Sequence, residues 1–188
     1  MDLYHIVLFI HILTLLVAAG ATAVTKLAVG RRATARTIGD ALEWHKLLMA
    51  ASKLFPLCLL AFVVTGGYMI SVTHIPMSTG FVVAGLVGVL LLLVSGVFLA
   101  TKGKALKQVL EFIETKGPEQ PAPKLVPPPI VAALPAINTG IALSVAFDMV
   151  TKPTSIPIAL AAIGVGIAIT GALALRRPAA TVEGVRAA

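Results

Sequence analysis

Five long apolar segments constrain this chain more than any other feature of its sequence. A helix that crosses the hydrocarbon core of a bilayer needs about 20 apolar residues. The segments that reach this length lie at about 4–29, 47–72, 79–100, 129–150 and 155–175, with residue 43 as the earliest start of the second. Only 12% of the 188 residues are charged, about half of the 25% usual in a soluble domain. The sequence therefore predicts an all-α integral membrane protein, a five-transmembrane-helix bundle surrounded by the lipid bilayer.

The lysine and arginine residues predict how this bundle is oriented. They are frequent in the first and third connections and in the C-terminal tail, at Arg31, Arg32, Arg36, Lys46, Lys102, Lys104, Lys107, Lys116, Lys124, Arg176, Arg177 and Arg186. The second connection, around residues 74–78, has none, and the fourth has Lys152 alone. Cytoplasmic connections carry the excess of positive charge. The alternation therefore predicts an N-terminus outside and a cytoplasmic C-terminus, in a bacterial cytoplasmic membrane.

The first apolar segment resembles a secretory signal peptide only in part. The sequence Ala21-Thr22-Ala23 has the small residues of a cleavage site. A signal peptide, however, begins with positive charge, whereas here Asp2 precedes the apolar run and Lys26 follows it. The charge order predicts a retained transmembrane helix.

The net charge of +7 does not indicate nucleic-acid binding, because the basic residues lie between apolar segments and not on one polar face. A single cysteine, Cys58, excludes an internal disulfide. It lies within an apolar segment, which predicts a packed thiol.

A proline-rich stretch divides the chain into two parts. Residues 1–116 are predicted to form three transmembrane helices and a cytoplasmic helical extension, whose apolar positions are Leu106, Val109, Leu110 and Ile113. Residues 117–128 contain five prolines and are predicted to form an extended cytoplasmic linker. Residues 129–188 are predicted to form two helices and a short basic tail.

Small residues recur every four positions in two of the segments. They are Gly80, Ala84 and Gly88 in the third, and Gly164 with Ala168 and Gly166 with Thr170 in the fifth. Such spacing allows two helix backbones to approach closely. It predicts helix packing at both places.

His11 is the ionisable residue that lies deepest in the first segment. It stands about 10 Å below the outer end, by the 1.5 Å rise of a helix. An imidazole at that depth needs a partner. Two interpretations stay open, a neutral histidine bonded to a neighbouring helix and a ligand of a metal or haem.

The other histidines lie nearer the membrane surfaces. His5 and His74 are predicted on the outer side, the side toward which His11 also lies. His45 follows Trp44 at the inner interface, where an aromatic anchor is ordinary, and is interpreted as having no role.

Three more polar residues fall within or beside the apolar segments. Lys53 is predicted to extend its long side chain to the inner interface. Asp148 is predicted close to Lys152, near enough in sequence for an ion pair, and Asn138 is predicted to bond another helix.

A bis-histidine haem that stands upright between helices needs a second ligand at a similar depth. His74 is the candidate, although it is several residues shallower than His11, and the nearest alternatives are Met69 and Met77. Gly66 and Gly67 lie at about the depth of His11. Their missing side chains would leave space for a flat macrocycle, and helix packing is an equal explanation.

The first two segments resemble a group of small membrane proteins. The resemblance covers residues 4–68 and is carried by Phe9-Ile10-His11-Ile12-Leu13, by a basic loop, by Lys53-Leu54-Phe55-Pro56 and by Thr65-Gly66. In these motifs the chain is similar to the superfamily of CopD-type copper-resistance domains and HemJ-type protoporphyrinogen oxidases. The resemblance implies a bound haem b, with His11 and Lys53 as the functional residues. The tryptophan and glycine usual after the first-helix histidine are absent, which puts the enzymatic activity in doubt.

Three hypotheses for function follow. The leading one is a haem-b-binding membrane protein with a redox or electron-transfer role, in which His11 and His74 are the axial ligands and a quinone, a porphyrinogen or a partner protein exchanges electrons. The second is a non-enzymatic subunit of a larger membrane complex or of a homo-oligomer. The third is a transporter of a small solute or metal ion, for which the polar residues are few and scattered.

Overall fold

A computed structural model of the chain describes residues 2–115, 117–122 and 127–176, and this part of the chain is all α-helical apart from its connections. The helices are α1 (Leu3–Ala33), α2 (Ile38–Ser52), α3 (Leu54–Thr73), α4 (Gly80–Glu114), α5 (Pro129–Thr151) and α6 (Ile156–Leu175). The basic residues Lys116, Lys124, Arg177 and Arg186 lie outside the described residues.

Five helical units are long and apolar enough to cross a membrane. They are α1, α2 with α3, α4, α5 and α6, so the prediction of five spans is confirmed at this level. Consecutive units run antiparallel. His11 near the start of α1 meets Thr65 in α3, while Arg32 near the end of α1 meets His45 in α2.

The alternating directions give the bundle two ends. We call the end where α1 finishes and α2 begins the basic end, because it carries Arg31, Arg32 and Arg36. The opposite end, where α3 and α5 finish and α4 and α6 begin, is called the far end.

The second span is broken at Lys53, three residues before Pro56. Proline has no backbone N–H, and its ring collides with the carbonyl four residues earlier. For Pro56 that carbonyl belongs to Ser52, the last residue of α2. The helical hydrogen-bond ladder therefore stops at Ser52 and restarts at Leu54.

At the basic end, the last turns of α4 pack on the first turns of α2. Leu110 joins Ile38 and Leu42 in a buried apolar cluster, against which Leu106 and Ile113 also pack. Val109, predicted on the same face, is 47% exposed. It lies off the stripe of positions 106, 110 and 113, which are spaced by four and three residues on one side of the helix.

Part of the proline-rich linker caps α2. The N–H groups of Ile38 and Gly39 donate to the carbonyls of Gln120 (2.9 Å) and Pro118 (3.1 Å). The first N–H groups of a helix have no partner within the helix. This segment supplies those partners in place of water, and it holds the linker against the start of the second span.

Close backbone approach joins α4, α5 and α6. Gly80, Ala84 and Gly88 are buried in the interface, as their spacing predicted. Gly140 of α5 and Gly166 of α6 meet so closely that a Cβ on either one would collide with the other backbone.

Hydrogen bonding and exposure in α6 show which of its small residues face α5. The hydroxyl of Ser144 donates across the interface to the carbonyl of Ala162 at 2.9 Å. Of the small-residue pairs predicted in α6, Gly166 and Thr170 face α5, whereas Gly164 and Ala168 are exposed.

Substituting the two glycines of α6 by alanine tests this interface. Gly166→Ala places a Cβ against Ser144 Oγ and the Gly140 carbonyl, whereas Gly164→Ala meets no atom within 4 Å. Both variants gain the same helix propensity. We expect Gly166→Ala to be less stable than Gly164→Ala by about 1–3 kcal/mol, the usual cost of overpacking. Thermal unfolding in detergent measures the difference, and equal stabilities would contradict the close approach.

Candidate functional site

His11 lies across the seam between α1 and α3. Its Nδ1 is 2.7 Å from Thr65 Oγ1, and the ring of Phe62 packs against it edge-on with the centroids 5.0 Å apart. A Cβ on Gly66 would lie 3.8 Å from His11 Cε1, so this glycine borders the imidazole. Of the two interpretations of His11, the hydrogen bond to a neighbouring helix is therefore present in the structure.

The hydrogen bonds around Thr65 decide which nitrogen of His11 carries the proton. The Thr65 hydroxyl donates its single proton to the carbonyl of Ala61, four residues earlier, at 2.6 Å. It can therefore only accept from His11, which must donate from Nδ1–H. In a neutral imidazole the other nitrogen then bears a lone pair. Nε2 has no hydrogen-bond partner among the described residues.

The other predicted site residues lie at different distances from His11. Gly66 borders it, while Gly67, one residue on, is exposed with open space at its Cβ position. His74 is exposed and ends α3 in a left-handed conformation, with φ 54°. It follows Thr65 by nine residues, about 14 Å along the helix. The structure does not bring His74 to His11.

Lys53 and the two candidate methionines complete the predicted set. Lys53 is exposed at the junction of α2 and α3, twelve residues and about 18 Å along the chain axis from Thr65. Met77 lies in the connection between α3 and α4 and is 59% exposed. Met69, the other alternative for a second axial ligand, follows Thr65 by four residues and lies on the same face of α3.

A second histidine site, which the sequence interpretation missed, lies at the basic end. His45 is fully buried. Arg32 Nη1 is 2.8 Å from its Nδ1, and its Nε2 is 2.9 Å from the carbonyl of Gly103. A guanidinium only donates and a carbonyl only accepts, so His45 is neutral with its proton on Nε2. One side chain thereby joins α1, α2 and α4.

The interpretation of His45 as an interfacial residue without a role is therefore wrong. A signal in the sequence points to its burial, because His45 continues the spacing of Ile38, Ala41 and Leu42, all of which are buried. Positions spaced by three and four residues form one helix face. The adjacent Trp44 had indicated a position at the membrane interface, where tryptophan is common.

Polar side chains of the α4–α5 interface lack the partners that were expected. Asp148 is 1% exposed, and its Oδ2 has no hydrogen-bond partner. The expected ion pair with Lys152 is not formed, because Lys152 is exposed and the ion pairs in the described part of the chain are His5–Asp2, Lys46–Glu43 and Lys107–Glu111. Asn138 Oδ1 and Ser95 Oγ are also buried without a partner.

Similarity to known proteins does not identify the site, since the chain matches no protein-family model, no curated protein and no solved structure. The resemblance of residues 4–68 to CopD-type and HemJ-type proteins stays a prediction.

Replacing His45 by alanine tests the site at the basic end. His45→Ala removes both hydrogen bonds, takes away the acceptor of the half-buried Arg32 guanidinium and opens a cavity. Leaving a buried polar group unpaired costs about 1–3 kcal/mol, and a cavity adds to this cost. We expect the variant to unfold at a clearly lower temperature than wild type.

The matched control is His5→Ala, because His5 is exposed at the far end. We expect its unfolding temperature to stay within the error of the wild-type value. A His45→Ala protein as stable as His5→Ala would show that the three-helix junction does not stabilise the bundle.

Proposed function

We propose that this protein binds haem b within the membrane and has a redox or electron-transfer role, with His11 as the axial ligand. The observation that carries the proposal is the lone pair on His11 Nε2. An imidazole binds iron through an unprotonated nitrogen. The bond from Nδ1–H to Thr65 keeps Nε2 in that form before any ligand arrives.

The surroundings of His11 are suited to a ligand histidine. A histidine that binds a metal usually donates its other N–H to an acceptor, which fixes the ring and raises its basicity. Thr65 Oγ1 accepts that bond at 2.7 Å. Phe62 adds an apolar wall, and Gly66 adds no side chain beyond Cα. These residues would bind and orient the macrocycle and exclude water from it.

We propose that this chain supplies one axial ligand, His11, and not the pair of His11 and His74. His74, the predicted second ligand, lies about 14 Å along α3 from the partner of His11, and Lys53 lies at the other end of the same helix. Neither borders His11. A haem held here would supply one-electron transfer, with a potential set by the axial ligation, hydrogen bonding and burial. Its electron partner would be a quinone, a porphyrinogen or a redox protein.

The basic end belongs on the cytoplasmic side in this proposal. Arg31, Arg36 and Lys104 are exposed there, and Arg31 lies 6.0 Å from the centroid of the Trp44 ring. The positive-inside rule places such residues in the cytoplasm, and tryptophan marks the membrane interface. The N-terminus then lies outside and the C-terminus inside a bacterial cytoplasmic membrane. The site of His11 falls in the outer leaflet.

A non-enzymatic subunit of a larger complex is the second candidate. It is favoured by α1, of whose 31 residues only Thr14, Ala21 and Ala28 are buried. Phe9 and Leu16 are each 64% exposed on the same helix. Such a surface accepts lipid, another subunit or a second copy of this chain. This candidate predicts a colourless protein that co-purifies with its partners.

The visible spectrum of the purified protein separates the two candidates. After expression with ample haem, we expect a Soret band in wild type, a loss of most of that band in His11→Ala and an unchanged band in His5→Ala. The His74→Ala variant tests the predicted second ligand, and in the arrangement described here its spectrum equals that of wild type. A colourless wild type, or a Soret band that survives His11→Ala, would overturn haem ligation by His11.

Thr65→Val tests the hydrogen bond that sets the tautomer. Valine has nearly the shape of threonine but cannot accept from Nδ1–H. Loss of such an outer partner usually weakens metal binding by about 10–100-fold, and we expect a similar fall in haem affinity, measured by titration of the haem-free protein. The control is Thr73→Val in the same helix, since the Thr73 hydroxyl is exposed and bonds to its own helix. Equal affinities for the two variants would contradict the role of Thr65.

A further inference from the structure

Asp148 is a buried carboxyl group without a partner. It lies one turn before the end of α5, is 1% exposed and has an Oδ2 atom that no donor reaches. Placing an unpaired carboxylate in apolar surroundings is costly, and ionisable groups within a membrane bundle usually mark functional sites.

The packing register places Asp148 among the first turns of α4 and α6. A Cβ on Gly85 would lie 2.7 Å from Met149 Cε, and Gly88 packs against Val145, so Asp148 is level with the start of α4. One turn earlier in α5, Ser144 bonds to the carbonyl of Ala162. Asp148 is therefore also level with the first turn of α6.

The N–H groups at the start of α4 are already paired with other acceptors. In α4 the N–H groups of Gly80 and Phe81 donate to Thr154 and Pro153, and the next two donate to Thr79. In α6 the N–H of Ala159 donates to Ser155. The starts of two helices thus lie near the carboxyl group, and the first four N–H groups of α4 are not available to it.

No charged side chain compensates Asp148. The facing stretches 80–88 of α4 and 156–163 of α6 contain no titratable residue. Lys152, in the following connection, and His74, at the end of α3, are both exposed. A multidentate metal site is not available either, because no three His, Cys, Asp or Glu side chains come together in the described part of the chain. The cation that a single carboxyl group binds is the proton.

We propose that Asp148 is a proton-binding site, which holds a proton at neutral pH and exchanges it with the water at the far end of the bundle. The end of α5 is three residues away, about 5 Å along the helix, so exchange needs only a short path. Release of the proton would leave a bare charge in the interface of α4, α5 and α6 and would draw water or a donor into it. The site uses the half of the bundle opposite to His11 and does not rest on haem binding.

Infrared spectroscopy of the whole protein in lipid nanodiscs tests this site. A protonated carboxylic acid has a carbonyl band that a carboxylate lacks, and this band shifts when deuterium replaces the proton. At pH 7 we expect the acid band in wild type and in Asp2→Asn, and its loss in Asp148→Asn. An exposed aspartic acid is protonated in about one molecule in a thousand at pH 7, so a detectable acid band from Asp148 marks a protonated fraction far above that of an exposed group.

Exchange and folding have their own readouts in the same experiment. Transfer to heavy water is expected to shift the Asp148 band without unfolding the protein, as exchange with bulk water requires. Asp148→Glu keeps an acid at the position and is expected to move the band without removing it, which controls for a folding defect in Asp148→Asn. An acid band absent from wild type at pH 7, or unchanged in Asp148→Asn, would overturn the proposal, as would a band that heavy water does not shift.

Discussion

Hydrocarbon offers no hydrogen-bond partner, and the polar side chains of this bundle are arranged under that constraint. Most of them bond within their own helix, as Thr14 does to the carbonyl of Ile10. A few reach across to a neighbour, and these few connect the helices. His11 joins α1 to α3, and Ser144 joins α5 to α6. Asp148 forms neither kind of hydrogen bond, and its buried Oδ2 has no partner.

The same constraint explains how the two halves of the molecule differ. In the half formed by α1 and α3, His11 is anchored by one nitrogen and offers the other. In the half formed by α4, α5 and α6, glycine contacts bring the backbones together, and the buried Asp148 lies at the far end. The halves are joined at the basic end, where His45 bonds to Arg32 and to Gly103. The two proposed sites therefore lie in separate interfaces of one bundle.

The apolar segments and the four-residue spacing of Gly80, Ala84 and Gly88 were sufficient to predict five helical units and the face of α4 that packs. They reflect length and periodicity, which are properties of one helix at a time. The break at Lys53 is explained by Pro56, because a proline disrupts the helix at the carbonyl four residues before it. Rotation of one helix against another leaves no such local signal, so the partner of His11 did not follow from its depth. The burial of His45 is different, because its spacing from Ile38, Ala41 and Leu42 indicates it.

The central claim is that the bond to Thr65 holds the proton of His11 on Nδ1 and leaves Nε2 open. Nitrogen-15 NMR of the haem-free protein, with selectively labelled histidine and with His11→Ala to assign the signals, observes this directly. The account predicts a protonated Nδ1 and an unprotonated Nε2 for His11 at neutral pH. A proton on Nε2 would contradict it, because no lone pair would then be directed away from Thr65.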